Sequence, residues 1–525
     1  MPRQSHTFRI PLPTPASAFA ALVLVPVLAV YVMDAGAAIV GKPAALVPDM
    51  ASYAWSGGVA LGIGVLATVL GLPLAFASGG SSARLVLLAM VPLATPMFLA
   101  STGYGMLRNK AWRVGAWLAE VSQDGHPWLT AAVDRSLAIV GLSLWAAPVA
   151  ALILAPWATA ARRALHDPLM LDTRGVPRRL ELLRSLGLAP LLAALGVGVL
   201  MMGSAVPLHL ARVPTAAVTL WAAQDLAPVQ DRGAVWLSAW PLVVAALVAG
   251  GAITSRLMGG WSPPVSPSAS PVSSWLTRLG VVLVVLLGTA IPLGFFASAI
   301  EHWGSAGPWM AFFHIHGEAL RSSVCVACAV AAIVTMLAMW TAQAASDASR
   351  RAAALAASGW LGIALFPGML VGALTARVWA VVPGPTWLTD PASMVHAQVL
   401  RLGALGVVAG LAFRAAEPAD QRDSRRMDGP RTMINWWRAW GSSAPGWWVG
   451  TFLASWMLSL NEIEATVVVQ PPGVPSLARK ILGDLHFYRT EEMALAVLLQ
   501  LAMVTLVCLV AAWGMKRLSS DAPGR

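Results

Sequence analysis

The chain has 525 residues, of which 58% are hydrophobic and only 11% charged, and its mean hydropathy is +0.70. Soluble domains carry about a quarter charged residues, so this composition excludes an ordinary soluble protein. The net charge of +11 does not call for a nucleic-acid partner, because most of the Lys and Arg fall in segments expected on one side of a membrane. We therefore predict an integral membrane protein that has the lipid bilayer, and no nucleic acid, as a partner.

Apolar runs long enough to cross a bilayer, about twenty residues each, recur along the whole chain. Backbone polar groups find no water in hydrocarbon, so these runs are predicted as helices. The first run is too long for the core of a cleaved signal peptide, and we expect it to stay as a helix. The sequence predicts about twelve spans, at 16–40, 53–78, 84–107, 136–160, 188–210, 235–255, 279–300, 322–344, 355–378, 395–415, 446–469 and 493–515.

A Pro- and Ser-rich stretch, GGWSPPVSPSASPVSSW, separates the first six runs from the last six and is typical of an extended linker. Polar loops with similar features occur on its two sides, and Gly429 follows Gly175 by 254 residues. Two sets with an even number of spans have the same orientation in a membrane. The predicted fold is an all-α polytopic membrane protein with two parallel six-helix repeats. Its predicted parts are a first half at 1–257, a cytoplasmic linker at 258–277 and a second half at 278–525.

Two arginine-rich loops lie between the fourth and fifth spans of each half, at 161–187 and 414–445. The positive-inside rule places both loops in the cytoplasm, and then both termini are cytoplasmic as well. Trp436 and Trp440 lie four residues apart, so they would share one face of a short helix in the second loop. Tryptophans on an exposed cytoplasmic helix indicate a surface that meets a partner or lipid headgroups.

The stretch LNEIEATVVVQPPGVPSLARKILGDLHFYRTEEMALAVLL near the C-terminus resembles a segment of the fused two-half permeases of binding-protein-dependent ABC importers, of the ferric-iron and thiamine type. The shared features are an acidic residue, Ala-Thr, Pro-Pro-Gly, Leu-Ala, Ile and an acidic pair before the last helix. In the first half, ATVLGLPLAFASGG and MVPLATPMFLASTGYGML resemble the second and third helices of that family. The resemblance covers most of the chain.

The resemblance implies a permease subunit of the cell inner membrane, with no catalytic residues, no resident metal and no cofactor of its own. Two copies of a separate ABC ATPase would dock on the cytoplasmic loops, and an extracytoplasmic binding protein would deliver the substrate, ferric iron or else thiamine. Neither loop contains the Glu-Ala-Ala of the family; they read LMLDTR and DSRRMD before the glycine. The residues implied for docking are Gly175, Arg178, Arg179, Leu180, Leu183, Gly429, Trp436, Trp437, Arg438 and Trp440.

Glu462 and Glu464 fall inside the eleventh predicted span, where a charge costs on the order of 3 kcal/mol and usually faces a cavity or a partner. Two residues apart on a helix is about 200° of rotation, so we expect one carboxylate to line a pathway and the other to meet a neighbouring helix. His209 is the ionisable side chain of the comparable region in the first half. Glu462, Glu464 and His209 are therefore the candidate residues of the translocation pathway, with the choice between the two glutamates left open.

The motif HIHGE, with His314, His316 and Glu318, is expected in an outer loop. Two histidines and a carboxylate could bind a metal ion, but histidines are common in flexible loops, so we favour an ordinary loop over a metal site. Two other functions stay open. A secondary transporter of the major-facilitator class also has two parallel six-helix halves, but its charged loop lies between the second and third spans, where this chain has SGGSSAR. A non-transporting membrane scaffold would use the tryptophan-bearing loop to bind a partner.

Overall fold

A computed structural model describes residues 15–40, 48–78, 83–108, 112–123, 125–164, 183–227, 232–260, 275–298, 300, 306–347, 350–418, 420–421, 423–424, 435, 439, 444–487 and 489–520. Every extended regular element within these ranges is a helix, in agreement with the predicted all-α class. The linker residues 261–274 and most of the two arginine-rich loops lie outside the described residues.

Before the linker the helices are α1 Pro15–Val40, α2 Met50–Ser78, α3 Ala83–Met90, α4 Met97–Gly105, α5 Arg113–Gln123, α6 Pro127–Ala164, α7 Ala189–Met202, α8 Val206–Leu210, α9 Ala216–Leu226, α10 Arg232–Ser238 and α11 Trp240–Gly260. A 3₁₀ turn, Val91–Ala94, follows α3.

After the linker they are α12 Trp275–Val285, α13 Ile291–Ala297, α14 Gly307–Asp347, α15 Arg350–Ala364, α16 Gly368–Ala380, α17 Thr386–Ala416, α18 Pro445–Leu460, α19 Glu464–Val469, α20 Leu477–His486 and α21 Thr490–Ser520. A π-helical turn, Leu286–Ala290, joins α12 to α13. The Tyr104 hydroxyl donates to the Leu287 carbonyl at 2.7 Å in this turn.

The protein is membrane-embedded by the length and apolarity of its helices. Six described segments meet the criterion for a span: α2, α6, α11, α12 with α13, α14 and α17. α15 and α16 meet it together, as a pair bent by 104°, and would make a seventh span. The other predicted runs form shorter or interrupted helices, so twelve uninterrupted spans are not found in the described ranges.

The helix that contains His314, His316 and Glu318 begins at Gly307, well before the predicted start at residue 322. The prediction that these three residues lie in an outer loop is therefore wrong. The stretch 307–321 is apolar enough to extend the following span, and the long helix α14 carries it as its first four turns. His316 is buried there beside Asp484 of α20, with 3.7 Å between Nε2 and Oδ2.

The two parts of the chain pack with similar partners. α2 packs against α6 and α7, and α14 packs against α17 and α18. α4 contacts α8, and α16 contacts α19. The first helix of each part reaches across the molecule, because α1 contacts α14 and α16 while α12 contacts α2 and α3. Buried Ala and Gly permit these close approaches; a Cβ added at Gly410, for example, would lie 2.3 Å from the Ala338 carbonyl oxygen.

Exposed tryptophans lie within the first two turns of several long helices at one end of the molecule. Arg135 of α6 lies over the Trp55 ring of α2, 5.4 Å from its centroid. The Tyr53 hydroxyl donates to the Ser238 carbonyl at 2.5 Å, which brings the start of α11 to the same level. Tryptophan prefers the membrane–water interface. The exposed tryptophans at these helix starts are Trp55, Trp128 and Trp240.

Candidate translocation site

Four of the predicted spans are interrupted for two or three residues well inside their bounds, at residues 95–96, 203–205, 365–367 and 461–463. Two of the interruptions contain a proline, Pro96 and Pro367, which cannot donate the backbone hydrogen bond that would continue the preceding helix. Each preceding helix closes with a tight 3₁₀-type bond, as from Phe366 N to the Ile363 carbonyl at 3.0 Å. The predictions of continuous helices at 84–107, 188–210, 355–378 and 446–469 are therefore wrong.

The first two interruptions meet the other two across the molecule. The Asn461 side-chain amide donates to the Leu93 carbonyl at 3.1 Å. A Cβ added at Gly203 would lie 3.1 Å from the Pro367 Cα, a tight contact, so glycine favours this approach of backbone to backbone.

The contacts also run within each pair of interruptions. The Met97 sulfur lies 3.9 Å from the Ser204 hydroxyl oxygen. A Cβ added at Gly368 would lie 2.5 Å from the Glu464 Cβ. The four interruptions thus form a closed circuit of contacts, which we call the four-break ring, at 95–96, 203–205, 365–367 and 461–463.

One arginine from α17 ties together the second-half side of this ring. The Arg401 guanidinium lies 3.7 Å from a Glu462 carboxylate oxygen and 3.5 Å from one of Glu464. It also donates to the carbonyls of Ala364 and Phe366, at 3.0 and 2.6 Å, where the end of α15 leaves acceptors unused. Charge-assisted hydrogen bonds to these carbonyls hold the bent backbone in place.

The two glutamates face the same arginine, which contradicts the prediction that they point in different directions. That prediction assumed a continuous helix, whereas the chain leaves the helix after Leu460 and starts again at Glu464. Glu462 accepts from the Ala465 backbone N–H at 3.0 Å and so caps the new helix. The Ser204 hydroxyl donates to Glu464 at 2.6 Å, which joins the first half of the chain to the second.

Amide and hydroxyl side chains next to the ring extend the polar cluster that Arg401, Glu462 and Glu464 form. Gln398, one turn before the arginine on α17, donates to the Thr466 hydroxyl at 2.9 Å and accepts from Ser459. Gln500 of α21 donates to the side-chain oxygen of Asn461. All of these side chains are buried or half-buried. Buried polar groups in a membrane protein need partners, so this network fixes the interrupted helices relative to α17 and α21.

A cavity of about 860 Å³ opens near the ring, at the end of the molecule where α4 ends and α6 begins. α4, α5, α6 and α8 form most of its wall, and Phe296, Asp484 and Met493 close it from the second half. Arg108 donates to Asp134 at 2.5 Å in the wall. Burial raises the pKa of the Asp484 carboxyl above its usual range, although the neighbouring His316 opposes that shift.

His209 lies in this cavity wall, and its ring packs edge-on against Trp221 at 5.4 Å between centroids. It sits five residues after Ser204, on the short helix that leads away from the four-break ring. The structure therefore places His209 at the cavity and Glu462 and Glu464 at the ring, as two levels of one candidate pathway. α4 spans the same two levels, since Met97 faces the ring and Ser101 and Thr102 line the cavity.

Of the residues predicted to dock an ATPase, Leu183 is described, and its side chain is exposed just before α7. The others lie outside the described residues: Gly175, Arg178, Arg179, Leu180, Gly429, Trp436, Trp437, Arg438 and Trp440.

Sequence reasoning missed Arg401 and Ser204. Arg401 could have been found, because it is an ionisable residue inside the apolar run 395–415, and such a residue usually has a partner in the membrane. Ser204 carries no such signal, since a serine in a membrane helix more often bonds its own backbone.

Comparison with protein-family models, with curated proteins and with solved structures finds no match to this chain.

Proposed function

We propose that the chain is the permease subunit of an ABC importer and forms the pathway through which a solute crosses the cell inner membrane. The four-break ring carries this proposal. Interrupted helices with unpaired backbone, closed around buried charges and next to an open cavity, are what a membrane protein builds where a polar solute must pass. Helices that only pack against lipid and one another would be continuous and would not bury charges at such a ring.

Two parallel six-helix halves, with twelve crossings in all, fit the packing. The partners of α2 in the first half, α6 and α7, correspond to the partners of α14 in the second, α17 and α18. Both halves have interruptions in their third and fifth predicted spans, and these meet pairwise as α4 with α8 and α16 with α19. A pseudo-two-fold axis along the membrane normal then passes near the four-break ring, where the halves touch.

In this proposal the cavity faces outward and the arginine-rich loops face the cytoplasm, so that a binding protein delivers its solute to the cavity. Closure of two ATPase subunits on the loops would rock the halves against each other. The Ser204–Glu464 and Asn461–Leu93 hydrogen bonds join the halves at the ring. They would break as access changes, which makes the ring the two-state element that nucleotide and solute both bias. Ferric iron and thiamine are the substrates that the resemblance favours.

Capture of an ATPase tests the importer. The tagged chain is purified from its native membranes in mild detergent, and the bound proteins are identified by mass spectrometry. We expect an ABC ATPase with the wild-type chain and its loss when Trp436, Trp437 and Trp440 are replaced by Ala. Trp387→Ala is the matched control, because Trp387 is an exposed tryptophan outside both loops and should leave capture unchanged. A chain that is purified alone from membranes that contain ABC ATPases would contradict the proposal.

A secondary transporter is the second candidate, and one observation favours it. The cluster of Arg401, Glu462 and Glu464 is buried at the ring, and intramembrane carboxylates commonly bind coupling ions or protons. Such a transporter needs no ATPase. Solute uptake by the purified chain alone in proteoliposomes, driven by a proton or sodium gradient without ATP, would favour this candidate over the importer.

A further inference from the structure

The four-break ring contains one more acidic side chain than basic ones. Arg401 is the single cation between two carboxylates, and its side chain and those of Glu462 and Glu464 are 9%, 12% and 3% exposed. From the first half the ring is faced by the hydroxyl of Ser204 and the thioether of Met97, which carry no charge. An excess negative charge at membrane depth is costly unless a positive charge can come beside it.

Hydrogen-bond acceptors without donors lie along the same route. Asp134, whose side chain is 9% exposed in the cavity wall, has one carboxylate oxygen bonded to Arg108 and the other, Oδ1, without a partner in the described structure. Gln500 donates its amide to Asn461 at the ring, and its oxygen likewise has no donor among the described groups. Buried acceptors of this kind usually meet a donor in some state of the protein.

The cavity wall itself is balanced in charge, since Arg108 and Arg212 stand against Asp134 and Asp484. A charge that selects the solute would therefore be found at the ring and not in the cavity wall. A multivalent metal ion fits poorly there, because the Arg401 guanidinium lies within 3.7 Å of both carboxylates. This argues against ferric iron, one of the two substrates that the resemblance favours. No group of three or more His, Cys, Asp or Glu side chains is placed to hold a metal among the residues that the structure describes.

We propose that the solute which crosses this ring is an organic cation with N–H donors, of the ammonium or guanidinium kind, and that Glu464 selects it. When the halves separate, the Ser204 hydroxyl leaves Glu464, and the positive group of the solute takes its place. Glu464 is thus a specificity-determining residue of the pathway. This inference rests on the proposed transport function but does not depend on which energy source drives it.

Two thiol reagents of similar size and opposite charge test the selection. Met97→Cys is introduced after Cys325, Cys328 and Cys508 are replaced by Ser, and the chain is reconstituted in nanodiscs. The reaction rates of 2-aminoethyl and 2-sulfonatoethyl methanethiosulfonate are measured and divided by their rates with a free thiol. We expect the amine to react at least about tenfold faster, a preference that corresponds to roughly 1.4 kcal/mol. Methylammonium chloride should protect the thiol, and magnesium chloride at equal ionic strength should not.

Variants connect the preference to the glutamate. Glu464→Gln should bring the ratio of the two rates close to one, whereas Glu120→Gln, which removes an exposed carboxylate outside the ring, should leave the ratio high. If Glu464→Gln does not elute as a monodisperse protein, Glu462→Gln reports the same loss of charge. A ratio near or below one in the parent, an unchanged ratio in both glutamine variants, protection by magnesium alone, or a thiol that neither reagent reaches would overturn the inference. None of these outcomes bears on ATPase capture, so the two proposals fail separately.

Discussion

Replacement of Arg401 by methionine is the most direct test of what holds the four-break ring together. The change keeps an unbranched side chain of similar reach but removes the guanidinium that contacts Glu462 and Glu464 and donates to two backbone carbonyls. Removal of one partner of a buried ion pair costs about 3–5 kcal/mol, and each orphaned acceptor costs about 1–3 kcal/mol. Even the lower ends predict a loss of roughly 5 kcal/mol, a large part of the stability of a typical protein.

The free energy of unfolding is measured in mixed micelles, by titration with sodium dodecyl sulfate and tryptophan fluorescence. Arg401→Lys keeps the charge but cannot span four acceptors, so we expect an intermediate loss. The triple variant with Arg401→Met, Glu462→Gln and Glu464→Gln removes the unpaired charges together, and it should be more stable than Arg401→Met alone. A loss below about 1 kcal/mol in Arg401→Met, within the range of an exposed ion pair, would refute the view that this arginine fixes the bent helices.

Three further outcomes are expected. Gly368→Ala should displace Glu464 and lower the free energy of unfolding by more than about 1 kcal/mol in the same titration, because a Cβ there would lie 2.5 Å from the glutamate Cβ. Gly57→Ala is the control, because a Cβ there has nothing within 4 Å, and it should not lower the free energy of unfolding. Asp484 has a raised pKa in the folded protein, so its contribution to stability is present at low pH and is lost as the pH rises through that pKa. Asp484→Asn should therefore flatten this part of the plot of unfolding free energy against pH. An unchanged plot would contradict the raised pKa of Asp484. Asp134→Asn weakens an ion pair whose arginine is 27% exposed, so the stability should fall by no more than about 1 kcal/mol, and a much larger loss would mean that the pair is structural.

The apolar runs were sufficient to predict the helices, because the bilayer leaves a long apolar segment no other regular structure. They were insufficient to predict the interruptions. Pro96, Pro367 and Gly203 are visible in the sequence, but many other Pro and Gly, such as Pro148 inside α6, lie in unbroken helices. What separates the two sets is the tertiary partner that satisfies the freed backbone, as Arg401 does for Ala364 and Phe366.

The sequence likewise predicted only the part of the candidate site that depends on local features of the chain. Glu462 and Glu464 were found because carboxylates inside an apolar run are costly, and that argument is local. Their common direction was missed because it depends on where the helix stops. The link from Ser204 to Glu464 joins residues 260 positions apart, and only the folded chain brings them together.

The exchange of first helices has a consequence for how the protein is made. α1 is synthesised long before the helices that it packs on, because Phe19 packs on Trp340 and Trp360, and His396 of α17 bonds to the Val23 carbonyl at 3.1 Å. More than three hundred residues must be synthesised before these surfaces exist. Until then one side of α1 lacks the helices that it packs against, and the first half of the chain cannot reach its final structure by itself. Two fragments cut at the linker should therefore assemble only when both are inserted into the same membrane.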